Sequence, residues 1–279
     1  MQSSFIKTNE IVLHYLDYGG EGENILLLHG LTANAHAFDG LIEAGLSNHF
    51  RVISVDLRGR GLSDHPVAGY DMQSHAADII GLLEALNIES VHICGHSFGG
   101  FLGLYLAIYF SKKVKRLILL DAAVRMHPQT KEMLGPALSR LGQRFESFEN
   151  YIEIVKKAPY LHFWEEKMLS YYRADVKTNE DGTVTPRSTL DNMMEAVLKG
   201  SLGEPWAELI ELNHKPTILI NAPGVYTMGN ALLPKDFAME TVEMMRDCSY
   251  VEVEGNHQTM LYGLGAKQIV KTIQEFILK

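Results

Sequence analysis

The most regular feature of this chain is the alternation of short apolar runs with segments whose apolar residues recur at helical spacing. Residues 24–28 and 114–120 are largely apolar runs of strand length, which is typical of strands buried on both faces of a parallel sheet. Residues 72–86 carry apolar side chains at the spacing of one helix face, with Asp71 or Ser74 as the candidate N-cap. This alternation predicts an α/β fold in which helices cover both faces of a mostly parallel sheet.

The same pattern predicts the other elements of the fold. The strands are predicted at residues 5–7, 11–16, 24–28, 51–55, 91–94, 114–120, 216–221 and 250–253. The main helices are predicted at residues 35–44, 72–86, 101–110, 236–245 and 266–278. The expected fold class is therefore α/β, with a mostly parallel, eight-stranded sheet flanked by helices.

The pattern changes between residues 122 and 211, where strand-like runs vanish and the chain becomes helical in character, with many aromatic residues and methionines. We expect this segment to be a helical cap inserted into a core formed by residues 1–121 and 212–279. An ordinary helical core explains most of its aromatic side chains, and the alternative is an inner apolar face that lines a substrate pocket. Trp164 and Tyr171 are the candidates for that lining, and residues 175–185 are expected to be an exposed turn.

The candidate chemistry centres on Gly95 to Gly99, which fits the pattern G-x-S-x-G. A serine hydroxyl becomes an effective nucleophile when a sharp strand-to-helix turn exposes it to a base and to the substrate. The flanking glycines permit strained backbone angles and let the strand and the helix approach closely. Because the motif follows a predicted strand and precedes a predicted helix, Ser97 is the predicted nucleophile.

Two further polar residues follow predicted strands, whose carboxyl ends share one edge of a parallel sheet. His257 lies just beyond the last strand and is the candidate base that takes the proton of Ser97. The loop after the penultimate strand, where the acid usually lies, contains no carboxylate, and Asn230 stands at about the expected position. Asp121 ends the strand after the elbow and is the preferred acid, with Asn230 or a distant acid as the alternative.

An oxyanion hole needs backbone N–H groups rather than particular side chains. Phe98, the residue after the nucleophile, is expected to supply one N–H group, and Leu31, in the loop after the third strand, the other. His29 and Gly30 precede Leu31 in the same loop and are candidates for contact with the substrate. We expect neither a metal ion nor a cofactor.

Composition narrows the classes of protein that remain. The chain has 279 residues, of which 46% are hydrophobic and 21% charged, as is ordinary for a globular protein with a sizeable core. A formal net charge of −9 argues against a nucleic-acid partner, which would need clustered Lys and Arg.

Cysteine usage and the amino-terminal sequence bear on the compartment. Cys94 and Cys248 are expected to be reduced, apolar thiols. The first residues lack the pattern of a signal peptide, and no apolar run reaches the length needed to span a bilayer. We therefore expect a cytoplasmic protein, a monomer or homodimer, with a small-molecule ester as its partner and no membrane contact.

Four motifs together resemble the α/β-hydrolase family, in its branch of esterases, enol-lactonases and C–C hydrolases. They are LLLHGLT at residues 26–32, DLRGRGLSD at 56–64, GHSFGG at 95–100 and GNH at 255–257. The resemblance covers nearly the whole chain outside residues 122–211 and implies that this insertion is the family's helical cap. Within that branch it also implies an acid at the position of Asp121.

These observations predict a carboxylesterase for small or medium acyl esters that works through Ser97, His257 and Asp121 and an acyl-enzyme. Two alternatives stay open. The position of Asp121 also fits a cofactor-independent dioxygenase, or a C–C or amide-bond hydrolase, on the same fold. The third class is a receptor that binds a ligand without turnover, since fold alone does not fix function.

Overall fold

The computed structural model describes residues 1–278, which form an eight-stranded sheet, a two-stranded hairpin and the helices around them. The strands are β1 (Gln2–Thr8), β2 (Ile11–Asp17), β3 (Asn24–Leu28), β4 (Arg51–Val55), β5 (Val91–His96), β6 (Val114–Leu120), β7 (Val176–Thr178), β8 (Val184–Pro186), β9 (Thr217–Asn221) and β10 (Cys248–Glu252). The helices are α1 (Asp39–Glu43), α2 (Met72–Ala85), α3 (Phe98–Tyr109), α4 (Thr130–Met133), α5 (Gly135–Leu138), α6 (Phe148–Val155), α7 (Met168–Asp175), α8 (Leu190–Glu195), α9 (Trp206–Leu209), α10 (Lys235–Met244) and α11 (Gly263–Leu278).

The large sheet has the strand order β1-β2-β4-β3-β5-β6-β9-β10. Strand β2 pairs antiparallel with β1 and β4, whereas every neighbouring pair from β4 to β10 is parallel. The predicted fold class, a mostly parallel eight-stranded sheet flanked by helices, is therefore confirmed. The carboxyl ends of the parallel strands share one edge of the sheet, and the loops that follow them meet there.

Successive side chains of the central strand β3 enter two different cores, as the largely apolar run predicts. Ile25 and Leu27 pack in the core that contains buried residues of α1 and α11, whereas Leu26 and Leu28 pack in the core that contains those of α2 and α3. Burial on both faces explains why this strand shows no alternation of polar and apolar residues. Within residues 1–278, no helix combines the length and apolar composition needed to cross a bilayer.

Some predicted boundaries move by a few residues. The helix predicted at residues 35–44 is divided into a 3-10 turn, Ala35–Phe38, and the short helix α1. Helix α3 begins at Phe98 rather than at residue 101, because the chain passes directly from Ser97 into the helix. Of the two candidate caps of α2, Asp71 is the N-cap, since its side chain accepts a hydrogen bond of 2.7 Å from the backbone N–H of Ser74.

The segment between β6 and β9 consists of the six short helices α4 to α9 and the hairpin β7–β8. The absence of strands expected here is wrong, because β7 and β8 pair antiparallel on either side of a turn at residues 179–182. Strands of three residues are too short to show a periodic pattern in the sequence. Two hydrogen bonds fasten this segment to the loop after β3: Asn34 Nδ2 donates to Tyr171 O at 3.0 Å, and Arg140 Nη2 donates to Thr32 O at 2.9 Å.

Candidate active site

Ser97 stands at a strained turn between β5 and α3, with φ of +53° and ψ of −117°. Its neighbours leave no room for larger residues: a Cβ on Gly95 would lie 2.2 Å from Gly99 O, and one on Gly99 would lie 2.0 Å from Leu28 O. The backbone N–H of Ser97 donates to Leu120 O of the adjacent strand at 3.0 Å. Strand, turn and helix are thus held close together, which is the geometry of a nucleophile elbow.

Ser97 lines a cavity of about 60 Å³ at the carboxyl edge of the sheet. The cavity lies between the core and the segment that contains α4 to α9. Its lining consists of Gly30, Leu31, Thr32, Ala33, His96, Ser97, Leu134, Ala137, Leu138, Tyr171, Tyr226, His257 and Gln258. This lining contains no Lys, Arg, Asp or Glu side chain; it combines apolar residues with uncharged polar ones such as Thr32 and Gln258.

The buried pair His257 and Asp121 lies at the same edge, 5% and 0% exposed. The Nδ1–H of His257 donates to Asp121 Oδ2 at 2.7 Å. The other carboxylate oxygen accepts from Asn221 Nδ2 at 2.7 Å and from the N–H of Ala222 at 3.0 Å. The carboxylate therefore fixes the imidazole through Nδ1 and leaves Nε2 as the nitrogen available for proton transfer.

The backbone of Asp121 adopts the left-handed conformation, with φ of +49°, which aspartate tolerates better than most residues. Asn230, the alternative partner, lies instead in an exposed turn after β9. Its Nδ2 donates to Met228 O at 3.1 Å, and its backbone pairs with Thr227. The structure thus brings Asp121 to His257 and leaves Asn230 outside the site.

The loop that carries His257 is fixed by the side chains of Asn256 and His96. Asn256 Oδ1 accepts from the N–H of Thr259 at 2.9 Å, and Asn256 Nδ2 donates to Tyr160 O at 2.9 Å. The Nε2–H of His96 donates to the backbone carbonyl of His257 at 2.8 Å. Burial lowers the pKa of His96 well below its ordinary value, so this imidazole is neutral.

The loop after β3 orients the peptide of Leu31. The Nδ1–H of His29 donates to Gly30 O at 2.7 Å, and Nε2 of the same ring accepts from the N–H of Leu57 at 3.0 Å. Because a trans peptide directs its N–H away from its C=O, this contact fixes the direction of the Leu31 N–H. Phe98 is the first residue of α3, and its N–H therefore has no partner within the helix.

Only two of the four residues predicted to contact substrate lie at the cavity. Gly30 and Tyr171 line the cavity, but His29 and Trp164 do not. The ring of His29 is fully buried and both its nitrogens are engaged by the backbone. Trp164 stacks on Tyr172, with ring centroids 5.6 Å apart. Helical spacing alone does not reveal which aromatic side chains of a cap face inward.

Three features of the site were not predicted from the sequence. Asn221 holds the acid, Asn256 holds the loop of the base, and Arg140 fixes the loop after β3. Asn221 ends β9 at the carboxyl edge of the sheet, and that position is a signal that could have identified it. Arg140 is paired with Asp175 through hydrogen bonds of 3.0 and 3.1 Å, a contact between residues too far apart in sequence to leave a local pattern.

Comparisons with known proteins bear on the family to which this fold belongs. A profile described as alpha/beta hydrolase fold matches residues 23–183. The AB hydrolase superfamily protein YisY of Bacillus subtilis is 35% identical over 153 residues, which cover 54% of this chain and 55% of that protein. The 2-(acetamidomethylene)succinate hydrolase of Mesorhizobium japonicum is 32% identical over 130 residues, which cover 47% of this chain and 46% of that protein.

A crystal structure of E-2-(acetamidomethylene)succinate hydrolase superimposes with a TM-score of 0.87 at 22% identity, over 100% of this chain and 99% of that one. In sequence, this chain spans about half the length of the two relatives named above. The structural likeness therefore supports the fold, and the profile match supports the family over more than half of the chain. The resemblance inferred from the four sequence motifs is confirmed, and the chain belongs to the α/β-hydrolase-fold family.

Proposed function

We propose that the protein is a serine hydrolase that cleaves small carboxylic esters. Membership of the hydrolase-fold family and the hydrolase names of its relatives support hydrolysis in general. One observation carries the finer proposal: Ser97 and His257 line the same cavity, and Asp121 accepts the Nδ1–H of His257 at 2.7 Å. These are the three groups that acyl transfer to serine requires.

In the proposed mechanism, the Oγ of Ser97 attacks the ester carbonyl while Nε2 of His257 takes its proton. Asp121 keeps the imidazole in the correct tautomer and stabilises the imidazolium. The N–H groups of Leu31 and Phe98 bind the oxyanion of the tetrahedral intermediate. The intermediate collapses when the C–O bond breaks and His257 returns the proton to the departing alkoxide, which leaves an acyl-enzyme and an alcohol.

Water then enters and His257 removes one of its protons as the oxygen attacks the acyl carbon. The second tetrahedral intermediate releases the carboxylic acid, and the proton on His257 returns to Ser97 Oγ. The cycle consumes one water and one ester and yields one acid and one alcohol.

The lining of the cavity favours a short, uncharged acyl chain. Its volume, about 60 Å³, is small beside the several hundred Å³ of typical ligand pockets, which limits the size of the acyl group that fits beside the serine. Two guanidinium groups donate to backbone carbonyls of the loop after β3: that of Arg140 is neutralised by its ion pair with Asp175, and that of Arg60 is fully buried behind the loop and outside the lining. A substrate carboxylate would therefore find no free cation in the lining, in contrast to what the succinate in the relative's name would require.

Amide hydrolysis is the second candidate, because the name of the Mesorhizobium japonicum relative includes an acetamido group. The same groups serve both reactions, and the difference lies in the leaving group. An amine leaves only when His257 protonates it as the C–N bond breaks, so this reaction depends more strongly on the imidazolium than ester cleavage does.

The test is a panel of p-nitrophenyl acetate, butyrate and octanoate, with matched anilides, assayed with the wild type and Ser97→Ala. The proposal predicts turnover that declines from butyrate to octanoate and is lost in the variant. Equal rates for the two proteins would reject Ser97 as the nucleophile. Oxygen uptake with a heteroaromatic substrate that survives Ser97→Ala but not His257→Ala would favour the dioxygenase alternative.

A further inference from the structure

Arg60 is a buried cation with no carboxylate partner. Its side chain is fully buried (0% exposed), yet no ion pair among residues 1–278 includes it, and its Nη2 has no hydrogen-bond partner there. Two other arginines beneath the surface differ: the buried Arg58 pairs with Asp78 at 2.6 Å, and the partly buried Arg140 pairs with Asp175 at 3.0 Å. Burying a charge without a counter-charge costs free energy, so this arrangement calls for a reason.

The contacts of Arg60 explain how the cation is held. Its Nε–H donates to Leu31 O at 2.9 Å, and Nη1 donates to Arg58 O at 2.6 Å and to His75 Nε2 at 3.0 Å. His75 is an acceptor because its own Nδ1–H donates to a backbone carbonyl. The guanidinium carbon also lies 5.1 Å from the ring centroid of Phe98. One buried guanidinium thus touches both residues whose N–H groups are the proposed oxyanion donors.

We propose that Arg60 is a positioning residue of the oxyanion hole, which fixes the main chain of Leu31 and adds an unneutralised positive charge beside the developing oxyanion. The inference rests on the proposed function of Ser97. Negative charge is present on the oxygen in the tetrahedral intermediate and not in the bound ester. The unpaired cation therefore stabilises the transition state more than the ground state, and its effect falls on kcat rather than on KM.

The guanidinium of Arg60 carries its positive charge at neutral pH. Burial lowers the pKa of the Arg60 guanidinium to about 9, which leaves the group protonated at neutral pH. A carboxylate partner would cancel much of its field at the oxyanion. The lack of an ion pair is unfavourable for folding. It is favourable for catalysis, because a fixed charge in a site of low dielectric interacts strongly with the oxyanion.

The test compares Arg60→Met and Arg60→Gln, which remove the charge, with Arg60→Lys, which keeps it. Arg60→Gln retains a donor for Leu31 O and is the variant to use should the methionine variant not fold. Arg116→Met is the matched control, because Arg116 also lies 5.1 Å from a phenylalanine ring, that of Phe276, but belongs to the opposite end of β6. Circular dichroism verifies that each variant is folded.

Two quantities are measured: kcat and KM for a short-chain ester, and the affinity for a small alkyl boronic acid, whose adduct with a serine is tetrahedral and anionic. Loss of the charge is expected to lower kcat about 10- to 100-fold and boronate affinity about 10-fold, with KM nearly unchanged. Arg60→Lys is expected to recover most of both losses, and Arg116→Met to match the wild type.

The experiment distinguishes failure of the proposed function from failure of the role of Arg60. A wild type that hydrolyses no ester or anilide and binds no boronate rejects the proposed function and the role of Arg60 with it. An active wild type whose folded Arg60→Gln variant keeps full kcat and full boronate affinity rejects the role of Arg60 alone. An equal rise of KM in all three Arg60 variants, with kcat unchanged, rejects it as well, since that is the result of a merely structural role.

Discussion

Two regions of this molecule each bring together a serine, a histidine and an aspartate. The first, the elbow assembly, consists of Ser97, His257 and Asp121. The second, which we term the strand assembly, consists of Ser3, His14 and Asp56: Ser3 Oγ lies 2.8 Å from His14 Nε2, and His14 Nδ1 lies 2.7 Å from Asp56 Oδ2. The distance from histidine to aspartate is the same in the elbow assembly, 2.7 Å.

The acids of the two assemblies are also held alike. Asp56 accepts from the backbone N–H of Ala35 at 2.6 Å and of Leu62 at 2.8 Å, besides His14. Asp121 likewise accepts from a backbone N–H and from an asparagine, besides its histidine. The ordered acid–base pair therefore does not distinguish the two assemblies.

The surroundings of the two serines do differ. Ser97 is at a strained turn, immediately before the N-terminus of α3, and lines a cavity together with Leu31. Ser3 is exposed and lies within the regular strand β1, opposite Leu16. A regular strand commits its N–H groups to its neighbour or to solvent, whereas the start of a helix offers free ones. We therefore expect the elbow and its free N–H groups to make Ser97 reactive, and an ordered histidine alone to leave Ser3 unreactive.

The largest expected effect is the difference in kcat between variants of the two serines. Ser97→Ala should lower kcat for a short ester by about 10⁴-fold or more, because the nucleophile is lost. Ser3→Ala should leave kcat within about twofold. Labelling with a fluorophosphonate, followed by peptide mass spectrometry, should find the adduct on Ser97. An adduct on Ser3 in the wild type would show that an ordered Ser-His-Asp set is sufficient, and would overturn the comparison.

The two acids give the next largest contrast. Asp121→Asn should lower kcat by about 10⁴-fold with little change in KM, because the amide stabilises the wrong tautomer of His257 and carries no charge. Asp56→Asn should instead lower the free energy of unfolding by about 1–3 kcal/mol, because a buried hydrogen-bond network is disturbed, and leave kcat within about threefold. Steady-state kinetics and urea unfolding measure the two effects. A similar loss of kcat in both variants would contradict this assignment.

The two regions should also respond to acid in different pH ranges. Burial lowers the pKa of His29, beside the elbow assembly, to about 4 in the folded protein. The unfolded chain then binds more protons than the folded one between pH 6.5 and 4, so stability present above pH 6.5 is lost as the pH falls toward 4. The expected loss from His29 is about 3 kcal/mol, and His96, with its lowered pKa, adds to it.

Asp56 of the strand assembly behaves differently. Its burial opposes ionisation, but the hydrogen bond and charge of His14 outweigh burial and lower its pKa. Its contribution is present above the unfolded pKa of about 4 and is lost only at lower pH. Urea unfolding at pH 7, 5 and 4 tests both statements. An unfolding free energy that stays constant from pH 7 to pH 5 would argue against neutral, buried imidazoles around the elbow.

The smallest effect concerns two asparagines, Asn221 at the end of β9 and Asn230 in the loop after it. Asn221→Ala removes the hydrogen bond of 2.7 Å to Asp121 Oδ1 and should lower kcat about 10- to 100-fold, through a less well-oriented acid. Asn230→Ala should change kcat by less than twofold, because the side chain only donates to Met228 O in an exposed turn. The kinetics of the two variants, with melting curves as the control for folding, decide between them. A larger loss of kcat in Asn230→Ala than in Asn221→Ala would indicate that Asn230 belongs to the site.

Much of this architecture was predictable from the residues alone, because parallel strands buried on both faces leave long apolar signals. The order of strands and helices, the elbow at Ser97 and the edge position of His257 all follow from local patterns and from the rule that parallel strands end together. The short hairpin β7–β8 was missed, since three residues carry no period. The inward-facing residues of the cap were only partly found, since helical spacing identifies a face but not what it packs against.

The sequence by itself determined the α/β fold, the nucleophile elbow and the absence of a carboxylate from the loop after β9. Each of these features is a pattern of residues that are close together in the chain. Only the tertiary structure decided which of two Ser-His-Asp sets opens into a cavity, which acid meets His257, and that Arg60 lies against Leu31 and Phe98 without a counter-charge. Such contacts join residues tens of positions apart or more. Their geometry depends on how strands and loops pack, which no local pattern records.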